Sequence, residues 1–261
     1  MGDENVAQTP SGGREGHVAT VILNRPDVRN AFNEVMIDEL TRAFAAPEES
    51  VRAVILTGSG HVFCAGADVN WMKRSAGYSE AENGRDAAAM AAMFRAIDEC
   101  PCPVIGRING PALGGGMGLI ACCDVAVAVN TAQFGYSEAR LGIIPAVISP
   151  FSLARIGAAA ARRYFLTAER FDAAEAVRIG LVNESVDAAT LDLRVDQIVQ
   201  SILRNGPNAV RAAKALIRSV AAMNRDEANR HTVATIARLR TSAEGQEGLG
   251  AFLEKRDPDW L

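Results

Sequence analysis

The glycine-rich segment from Asn109 to Glu138 constrains this chain more than any other, because it holds three consecutive glycines at positions 114–116. The run Val104–Ile108 before it favours a strand, and Met117–Cys123 after it favours a helix. Such a junction lets backbone N–H groups approach a ligand without interference from Cβ atoms, and the helix N-terminus adds partial positive charge. The junction therefore predicts an anion-binding turn, either for a phosphate or for an oxyanion that develops during a reaction.

A second junction of similar kind lies upstream. The predicted strand Val51–Thr57 leads into residues 63–68, which have the sequence Phe-Cys-Ala-Gly-Ala-Asp. Two N–H donors that converge from separate junctions form an oxyanion hole, an arrangement that stabilises an enolate. The pair of junctions favours this function over two tight turns with a purely structural role.

Composition excludes several classes of function. The chain has 261 residues, 49% hydrophobic and 22% charged, which is ordinary for one domain or a core plus a small appendage. Its net charge of −4 gives no indication of a nucleic-acid partner or an anionic membrane surface. No apolar run approaches about 18 residues, and residues 1–16 are polar and glycine-rich. We therefore expect a flexible N-terminal tail and a cytoplasmic protein that is neither secreted nor inserted in a membrane.

The sequence predicts no metal and no bound cofactor. The three histidines lack the spacing of metal ligands. Residues 114–118 match neither the dinucleotide-binding pattern nor the P-loop, which disfavours NAD and nucleoside triphosphates. The cysteines form no C-x-x-C motif and are expected to be reduced and buried: Cys64, Cys100, Cys102, Cys122 and Cys123.

Strands alternate with helices in the first part of the chain, which predicts βαβ units. From about Ile148 onward the pattern is almost wholly helical, and its texture changes near residues 190–205. We therefore expect an α/β core at 17–200 and a helical C-terminal region at 201–261. The strands expected in the core are Val18–Asn24, Val51–Thr57, Val104–Ile108, Val125–Val129, Ala132–Phe134 and Leu181–Ser185.

Helices are predicted from apolar spacing and capping residues. An amphipathic helix begins after a cap at Asn33 and turns Val35, Leu40 and Phe44 inward. Residues 68–80 have the composition of a loop. Further helices are expected at Glu80–Glu99, Ser149–Ile156, Ala158–Leu166, Asp172–Ile179, Leu191–Arg204, Pro207–Asn224, Arg225–Thr241 and Glu247–Lys255.

Six blocks, in order along nearly the whole chain, carry a resemblance to a known family. They are Val18–Asn33, Phe63–Met72, the turn Asn-Gly-Pro-Ala-Leu-Gly-Gly-Gly at 109–116, Ala132–Ala146, Leu166–Glu184 and Glu247–Arg256. With these blocks the chain resembles the enoyl-CoA hydratase/isomerase (crotonase) superfamily. The resemblance implies a ClpP-like spiral of ββα units with two stacked sheets, and a helical C-terminal region that assembles trimers or dimers of trimers. It also implies an acyl-CoA thioester as substrate, with coenzyme A as part of that substrate.

The resemblance assigns roles to particular residues. It places one oxyanion N–H at Ala67 and the other at Gly115, and it makes Glu138 the catalytic carboxylate. The segment Ala67, Asp68, Val69 and Asn70 would line the path of the CoA adenine and pantetheine. Relatives often carry a lysine at the position of Asn70, so any charged contact there is lost. The alternative for Glu138 is a solvated glutamate at a helix start.

Gly118 departs from the pattern of two-glutamate hydratases, which carry a second glutamate at this position to hold the attacking water. Either Glu138 transfers the proton without this partner, or another group positions the water. One glutamate also suffices for a Δ3,Δ2-enoyl-CoA isomerase, in which a single base moves a proton from C2 to C4. A third alternative is a non-catalytic acyl-CoA-binding paralogue that has lost hydration.

Two segments resemble a subset of bacterial hydratases that act on 3-methylglutaconyl-CoA or isohexenylglutaconyl-CoA. They are Leu119–Asp124 and Ile144–Pro150. The missing side chain at Gly118 would leave room in the acyl pocket for a branch at C3, and Lys73, Arg74 or Arg140 could meet a substrate carboxylate. The sequence thus predicts a hydratase that adds water across the C2–C3 double bond of a 2-enoyl-CoA, branched or carboxylated in the acyl group.

Overall fold

The computed structural model describes residues 5–10 and 16–261. The described residues form nine strands: β1 (Val6–Pro10), β2 (Val18–Leu23), β3 (Ala53–Gly58), β4 (Val104–Ile108), β5 (Ala112–Leu113), β6 (Val125–Val129), β7 (Gln133–Gly135), β8 (Phe171–Asp172) and β9 (Glu184–Val186). They build a six-stranded sheet in the order β1-β2-β3-β4-β6-β9 and a three-stranded sheet in the order β5-β7-β8. This is the α/β architecture with two sheets that the sequence predicts.

Ten α-helices surround the sheets in the described part of the chain. They are α1 (Glu34–Ala45), α2 (Val69–Ser75), α3 (Glu80–Asp98), α4 (Gly115–Ala121), α5 (Ser149–Thr167), α6 (Ala173–Arg178), α7 (Leu191–Leu203), α8 (Pro207–Ala221), α9 (Arg225–Arg240) and α10 (Ala243–Glu254). Gly157 has φ 69° and breaks α5, so the two helices expected on either side of it are confirmed. No described helix is both long and apolar enough to cross a membrane.

The large sheet is parallel from β2 to β9, and only β1 runs antiparallel to its neighbour. Strands β3, β4 and β6 are buried along almost their whole length, which explains why their sequences are nearly continuous apolar runs. Parallel strands need crossover connections, and α1 and α3 pack together as two of these. The carboxyl ends of β3 and β4 lead directly into the two glycine-rich junctions.

Helix α1 begins where the sequence predicts, because the Asn33 side chain accepts a hydrogen bond of 3.0 Å from the amide of Met36. Its buried stripe contains Met36, Ile37, Leu40 and Phe44. Val35 is 47% exposed, so its predicted inward orientation is wrong. Positions 36, 37, 40 and 44 fall within one arc of about 100° around the helix axis. Position 35 lies about 100° beyond the edge of this arc, on the exposed side of the helix.

The N-terminal tail is not flexible throughout. Val6–Pro10 forms β1 and pairs with β2 in the register Val6 opposite Leu23, and the Val6 side chain is buried. The predicted loose tail at 1–16 is therefore wrong for residues 6–10, whose backbone pairs antiparallel with β2 at the edge of the sheet. Residues 1–4 and 11–15 lie outside the described residues. The predicted loop at 68–80 is also corrected, since Val69–Ser75 is the helix α2.

The boundary predicted at residue 200 falls inside α7, which packs on β4 and β6. The α/β core therefore extends to the end of α7, and the helical region begins at α8. Cations join the two parts. Lys214 on α8 is buried and donates to Asp124 Oδ2 at 2.6 Å and to Cys102 O at 3.1 Å, and Arg52 Nη1 donates to Trp260 O at 3.2 Å.

The buried contact of Lys214 predicts a measurable stability effect. We expect Lys214→Met to lower the free energy of unfolding by about 2 kcal/mol, because Cys102 O loses its donor and Asp124 loses its cationic partner. The control is Arg218→Ala, which removes an exposed ion pair at 4.0 Å to Asp98 and should cost about 0.5 kcal/mol or less. Urea unfolding at one fixed protein concentration measures both variants. Equal losses of unfolding free energy would show that the buried contacts of Lys214 contribute no more than an exposed ion pair.

Candidate active site

A cavity of ≈ 410 Å³ lies between α2, α3, the start of α4 and the segment that precedes α5. Its walls are largely apolar and include Phe32, Trp71, Met90, Val147 and Ile148. The same cavity is lined by Gly66 and Ala67 from the first junction, by Gly114 and Gly115 from the second, and by Glu138. The structure therefore brings the predicted oxyanion donors and the predicted carboxylate to one cavity.

The two glycine-rich junctions touch. Leu113 N donates to Cys64 O at 3.0 Å, within a parallel bridge between Cys64 and Ala112. Gly66 has φ 89°, and a Cβ atom built there would lie 2.8 Å from Leu113 O and 3.3 Å from Gly115 N. A side chain at position 66 would push the junctions apart, so glycine is required for their close approach.

The backbone around Ala67 turns its N–H away from Phe32. Phe32 N donates to Gly66 O at 2.8 Å, and Asp68 N donates to Phe32 O at 3.0 Å. This parallel bridge uses the groups on either side of Ala67, and successive amides of an extended chain point in opposite directions. Within the described residues the amides of Ala67 and Gly115 make no hydrogen bond, so both are available to one acceptor in the cavity.

Glu138 lies beside the glycine turn. Gly114 has φ 52°, and a Cβ atom there would lie 3.5 Å from Glu138 Oε1. Gly114 N donates to Gly135 O at 2.9 Å, which ties the turn to the end of β7, three residues before the carboxylate. Strand β7 therefore fixes Glu138 relative to Gly115.

The environment of Glu138 suits proton transfer. Its Oε2 atom is buried and has no hydrogen-bond partner among the described residues. Burial raises the pKa of the Glu138 carboxyl, and the backbone amides of Glu138 and Ser137 offset only part of this effect. A carboxyl with a raised pKa can accept and release a proton near neutral pH more readily than an exposed glutamate.

Asp68 does not face the cavity as the resemblance implies. Its side chain is buried, accepts from the amides of Asn70 at 2.7 Å and Trp71 at 3.2 Å, and pairs with Arg25 Nη2 at 2.9 Å. Burial alone would raise the pKa of Asp68, but the two amides and Arg25 lower it below its usual value. The carboxylate is thus committed to the cap of α2 and to Arg25, and the contact of Asp68 with CoA stays a prediction for its backbone alone.

Val69 and Asn70 are exposed on the first turn of α2, outside the cavity lining, and their contact with CoA stays a prediction. The three cations proposed for a substrate carboxylate are not among the lining residues either. Arg74 instead pairs with Glu34 at 2.5 Å. Among the described residues, no group of three or more His, Cys, Asp or Glu side chains could hold a metal ion. The five cysteines are free and buried.

Gly118 does not open the acyl pocket. It is buried, lies outside the cavity lining, and a Cβ atom there would overlap Ile148 Cγ2 and lie 2.8 Å from Phe94 Cε1. The space that a second glutamate would occupy is therefore filled by Ile148 and Phe94. The prediction that the vacancy admits a branch of the substrate is wrong, because neighbouring side chains have closed it.

Most residues that line the cavity were not predicted as site residues, and three of these, Phe32, Trp71 and Asp86, bear on its geometry. Trp71 Nε1 donates to Asp86 Oδ2 at 3.0 Å, and the rings of Trp71 and Phe32 lie 6.4 Å apart. A Cβ atom on Gly115 would overlap the Phe32 ring, which places this ring directly against the second donor. For Asp86 the sequence carries a signal, because Asp86, Met90 and Phe94 are spaced by four residues and so lie on one face of α3.

The site geometry agrees with a comparison against known families. The family described as enoyl-CoA hydratase/isomerase matches residues 13–261. This chain belongs to the enoyl-CoA hydratase/isomerase family. The predicted superfamily is thereby confirmed, and the finer assignment to hydratases of 3-methylglutaconyl-CoA stays a proposal.

Individual members of this family are similar over almost their whole length. A crotonyl-CoA hydratase from Syntrophomonas wolfei is 35% identical over 252 residues, covering 95% of this chain and 96% of the relative. A putative enoyl-CoA hydratase from Thermus thermophilus is 32% identical over 246 residues, covering 94% and 97%. The crystal structure of an enoyl-CoA hydratase from Shewanella pealeana has a TM-score of 0.93 at 40% identity, covering 98% of this chain and 96% of that chain. These similarities confirm the predicted crotonase fold.

The packing around Gly118 predicts a second stability effect. We expect Gly118→Ala to lower the free energy of unfolding by about 2 kcal/mol, because the added methyl group must displace Ile148 or Phe94. Gly84→Ala is the matched control on α3, where a Cβ atom meets nothing within 4 Å, and it should stabilise the protein by roughly 0.5–1 kcal/mol. Thermal unfolding compares the two, and a neutral Gly118→Ala would show that position 118 is not closely packed.

Proposed function

We propose that this chain hydrates a 2-enoyl-CoA thioester, adding hydroxyl at C3 and hydrogen at C2. The observation that carries the proposal is the half-buried Glu138, with its Oε2 atom buried and unpartnered among the described residues, in the same largely apolar cavity as the free amides of Ala67 and Gly115. The hydratases named among its relatives support the same reaction. The cytoplasmic location expected from the sequence stays a prediction.

The two amides would bind the thioester oxygen. Attack of water at C3 moves charge onto this oxygen and gives an enolate-like transition state, which two fixed N–H dipoles stabilise without reorganisation. The apolar walls around them keep the local dielectric low, so each hydrogen bond to the growing charge is stronger than in water. Loss of one such donor typically costs about 10²–10³-fold in kcat.

Glu138 would transfer the proton. In its ionised form one carboxylate oxygen takes a proton from the attacking water, and the hydroxyl bonds to C3. The carboxyl then gives that proton to C2, which restores the carboxylate and balances the addition. The position of a second glutamate is filled by Ile148 and Phe94. The other carboxylate that lines the cavity, Asp86, accepts a hydrogen bond from Trp71 Nε1, so the geometry favours Glu138 as the group that transfers the proton.

A mechanism in which Glu138 acts without a partner carboxylate also keeps Δ3,Δ2-enoyl-CoA isomerisation as a second candidate. A base that removes a proton from C2 and returns it to C4 needs no bound water and no partner carboxylate. A non-catalytic acyl-CoA-binding paralogue is the candidate from another class. The three functions differ in what they do to the conjugated double bond, which absorbs in the ultraviolet.

For the acyl group we propose a branch at C3, with 3-methylglutaconyl-CoA as the first candidate. The support is the resemblance of Leu119–Asp124 and Ile144–Pro150 to hydratases of such substrates, and the apolar wall at Met90, Val147 and Ile148. None of the cavity-lining residues is a lysine or an arginine. A substrate carboxylate would therefore require a cation from outside this lining, such as Lys73 or Arg140 after a side-chain movement.

The deciding experiment follows absorbance with crotonyl-CoA, 3-methylcrotonyl-CoA, 3-methylglutaconyl-CoA and a 3-enoyl-CoA. Loss of conjugation identifies hydration, gain from the 3-enoyl substrate identifies isomerisation, and no change identifies binding alone. A higher kcat/KM for both branched substrates than for crotonyl-CoA would support the branch. Preference for 3-methylcrotonyl-CoA over 3-methylglutaconyl-CoA would reject the carboxylate.

The same assay tests the role of Glu138. We expect Glu138→Gln to lower kcat by about 10²-fold or more while the thioester still binds, because the isosteric amide cannot carry the proton. Glu80→Gln is the control, since Glu80 is an exposed glutamate in the first turn of α3. Turnover of Glu138→Gln within a few-fold of wild type would remove Glu138 from the mechanism.

We propose further that the chain assembles as a trimer or a dimer of trimers. The C-terminal helices leave large apolar side chains exposed, including Ile217 at 74%, Val233 at 67% and Phe252 at 80%. Sedimentation velocity at micromolar concentration should give a trimer or hexamer. A stable monomer would reject this assembly without affecting the proposed reaction.

A further inference from the structure

The direction of the Ala67 N–H depends on the loop that runs from Arg25 to Phe32. Of this loop, only Phe32 lines the cavity. Residue Phe32 forms the bridge to Gly66 and Asp68, and Phe32 is held in turn by the loop that starts at Arg25. Ala65 N donates to Arg29 O at 3.0 Å, which attaches the loop to the first junction at another point. The oxyanion donor therefore sits on a segment whose position the loop determines.

This loop is strongly constrained. Arg29 and Asn30 both have positive φ, at 56° and 55°, in the left-handed region that costs non-glycine residues energy. The Asn30 side chain is buried and closes the turn, since its Oδ1 accepts from Arg25 N at 3.0 Å and its Nδ2 donates to Val62 O at 2.7 Å. A backbone held in this conformation must be fixed by its contacts.

One ion pair connects the loop directly to the junction. Arg25 Nη2 pairs with Asp68 Oδ2 at 2.9 Å, and Arg25 Nη1 donates to Ala31 O at 2.5 Å. The side chains are 19% and 5% exposed, so water screens the pair little. Asp68 Oδ1 meanwhile caps α2. The residue that follows Ala67 is thus fixed on one side by Arg25 and on the other by the helix.

We propose that Arg25 and Asp68 are positioning residues that aim the Ala67 N–H at the substrate's thioester oxygen. The inference rests on the proposed function, because it assumes an acyl thioester in the cavity. A simple scaffold role predicts loss of stability only, and a CoA-binding role predicts a raised KM. A positioning role predicts a lower kcat together with a less polarised thioester carbonyl.

The test uses variants that keep the fold. Asp68→Asn retains an N-cap for α2, since asparagine caps helices as well as aspartate, but it removes the charge that binds Arg25. Arg25→Lys keeps the positive charge but cannot reach both Ala31 O and Asp68 with one planar group. Arg74→Ala is the control, because its ion pair with Glu34 joins the last turn of α2 to the start of α1 in an exposed position, 48% and 53% exposed.

Two measurements separate the roles. For the 2-enoyl-CoA that wild type turns over, we expect Asp68→Asn to lower kcat about 30-fold with KM changed less than about 3-fold, as when a donor acting in the transition state is displaced. Infrared difference spectra with butyryl-CoA labelled with ¹³C at the carbonyl then report the polarisation of this bond without turnover. The bound band should lie at lower wavenumber in wild type and Arg74→Ala and return toward the free value in Asp68→Asn and Arg25→Lys.

Each outcome decides. Unchanged kcat and band position in folded Asp68→Asn and Arg25→Lys overturn the proposal, and so does an effect on KM alone. If Asp68→Asn fails to melt cooperatively, Arg25→Lys carries the same comparison. If the band responds as expected but no enoyl-CoA is hydrated, the proposed function fails while the positioning role stands. If hydration is observed and neither variant alters it, the positioning role fails while the proposed function stands.

Discussion

The parallel bridge of Phe32 with Gly66 and Asp68 is the contact on which the rest of the site depends. Its two hydrogen bonds use Gly66 O and Asp68 N, the backbone groups on either side of Ala67, and the N–H of Ala67 itself stays free. The Phe32 ring rests against Gly115, the other donor. One residue thus contacts both halves of the donor pair, through its backbone on one side and its ring on the other. A side chain at position 115 would displace the Phe32 ring, and a side chain at position 66 would push Leu113 and Gly115 away from the first junction.

The chemistry follows from three polar groups of the cavity. The two backbone amides of Ala67 and Gly115 supply fixed partial positive charge, and the half-buried Glu138, whose Oε2 atom is buried, supplies a titratable carboxyl. Burial raises the pKa of Glu138, so desolvation tunes the carboxyl for proton transfer without a second carboxylate. Trp71 and Asp86 form a separate hydrogen-bonded pair on another wall of the cavity, 3.0 Å apart.

Much of this arrangement could be predicted from the sequence. The glycine-rich junctions and Glu138 carry signals that are local, because turn chemistry and motif order do not depend on distant residues. The errors arose where tertiary contacts decide. Val35 is exposed because packing against α3 fixes which stripe of α1 is covered, and the Asp68 side chain is committed to Arg25, which lies 43 positions earlier in the numbering. Gly118 looked like an empty space because no sequence pattern shows that Ile148 and Phe94 fill it.

The filled space beside Gly118 limits how this protein could change over evolutionary time. A chain that regained a glutamate at 118 would first have to shrink Ile148 or move Phe94, since their atoms occupy the space where the new side chain begins. A glutamate at 118 alone would overcrowd the packing, and a smaller residue in place of Ile148 alone would leave a cavity. The one-carboxylate and two-carboxylate forms are therefore separated by a fitness valley that requires paired mutations. The order in which the two mutations arise would depend on which single variant stays stable enough to fold.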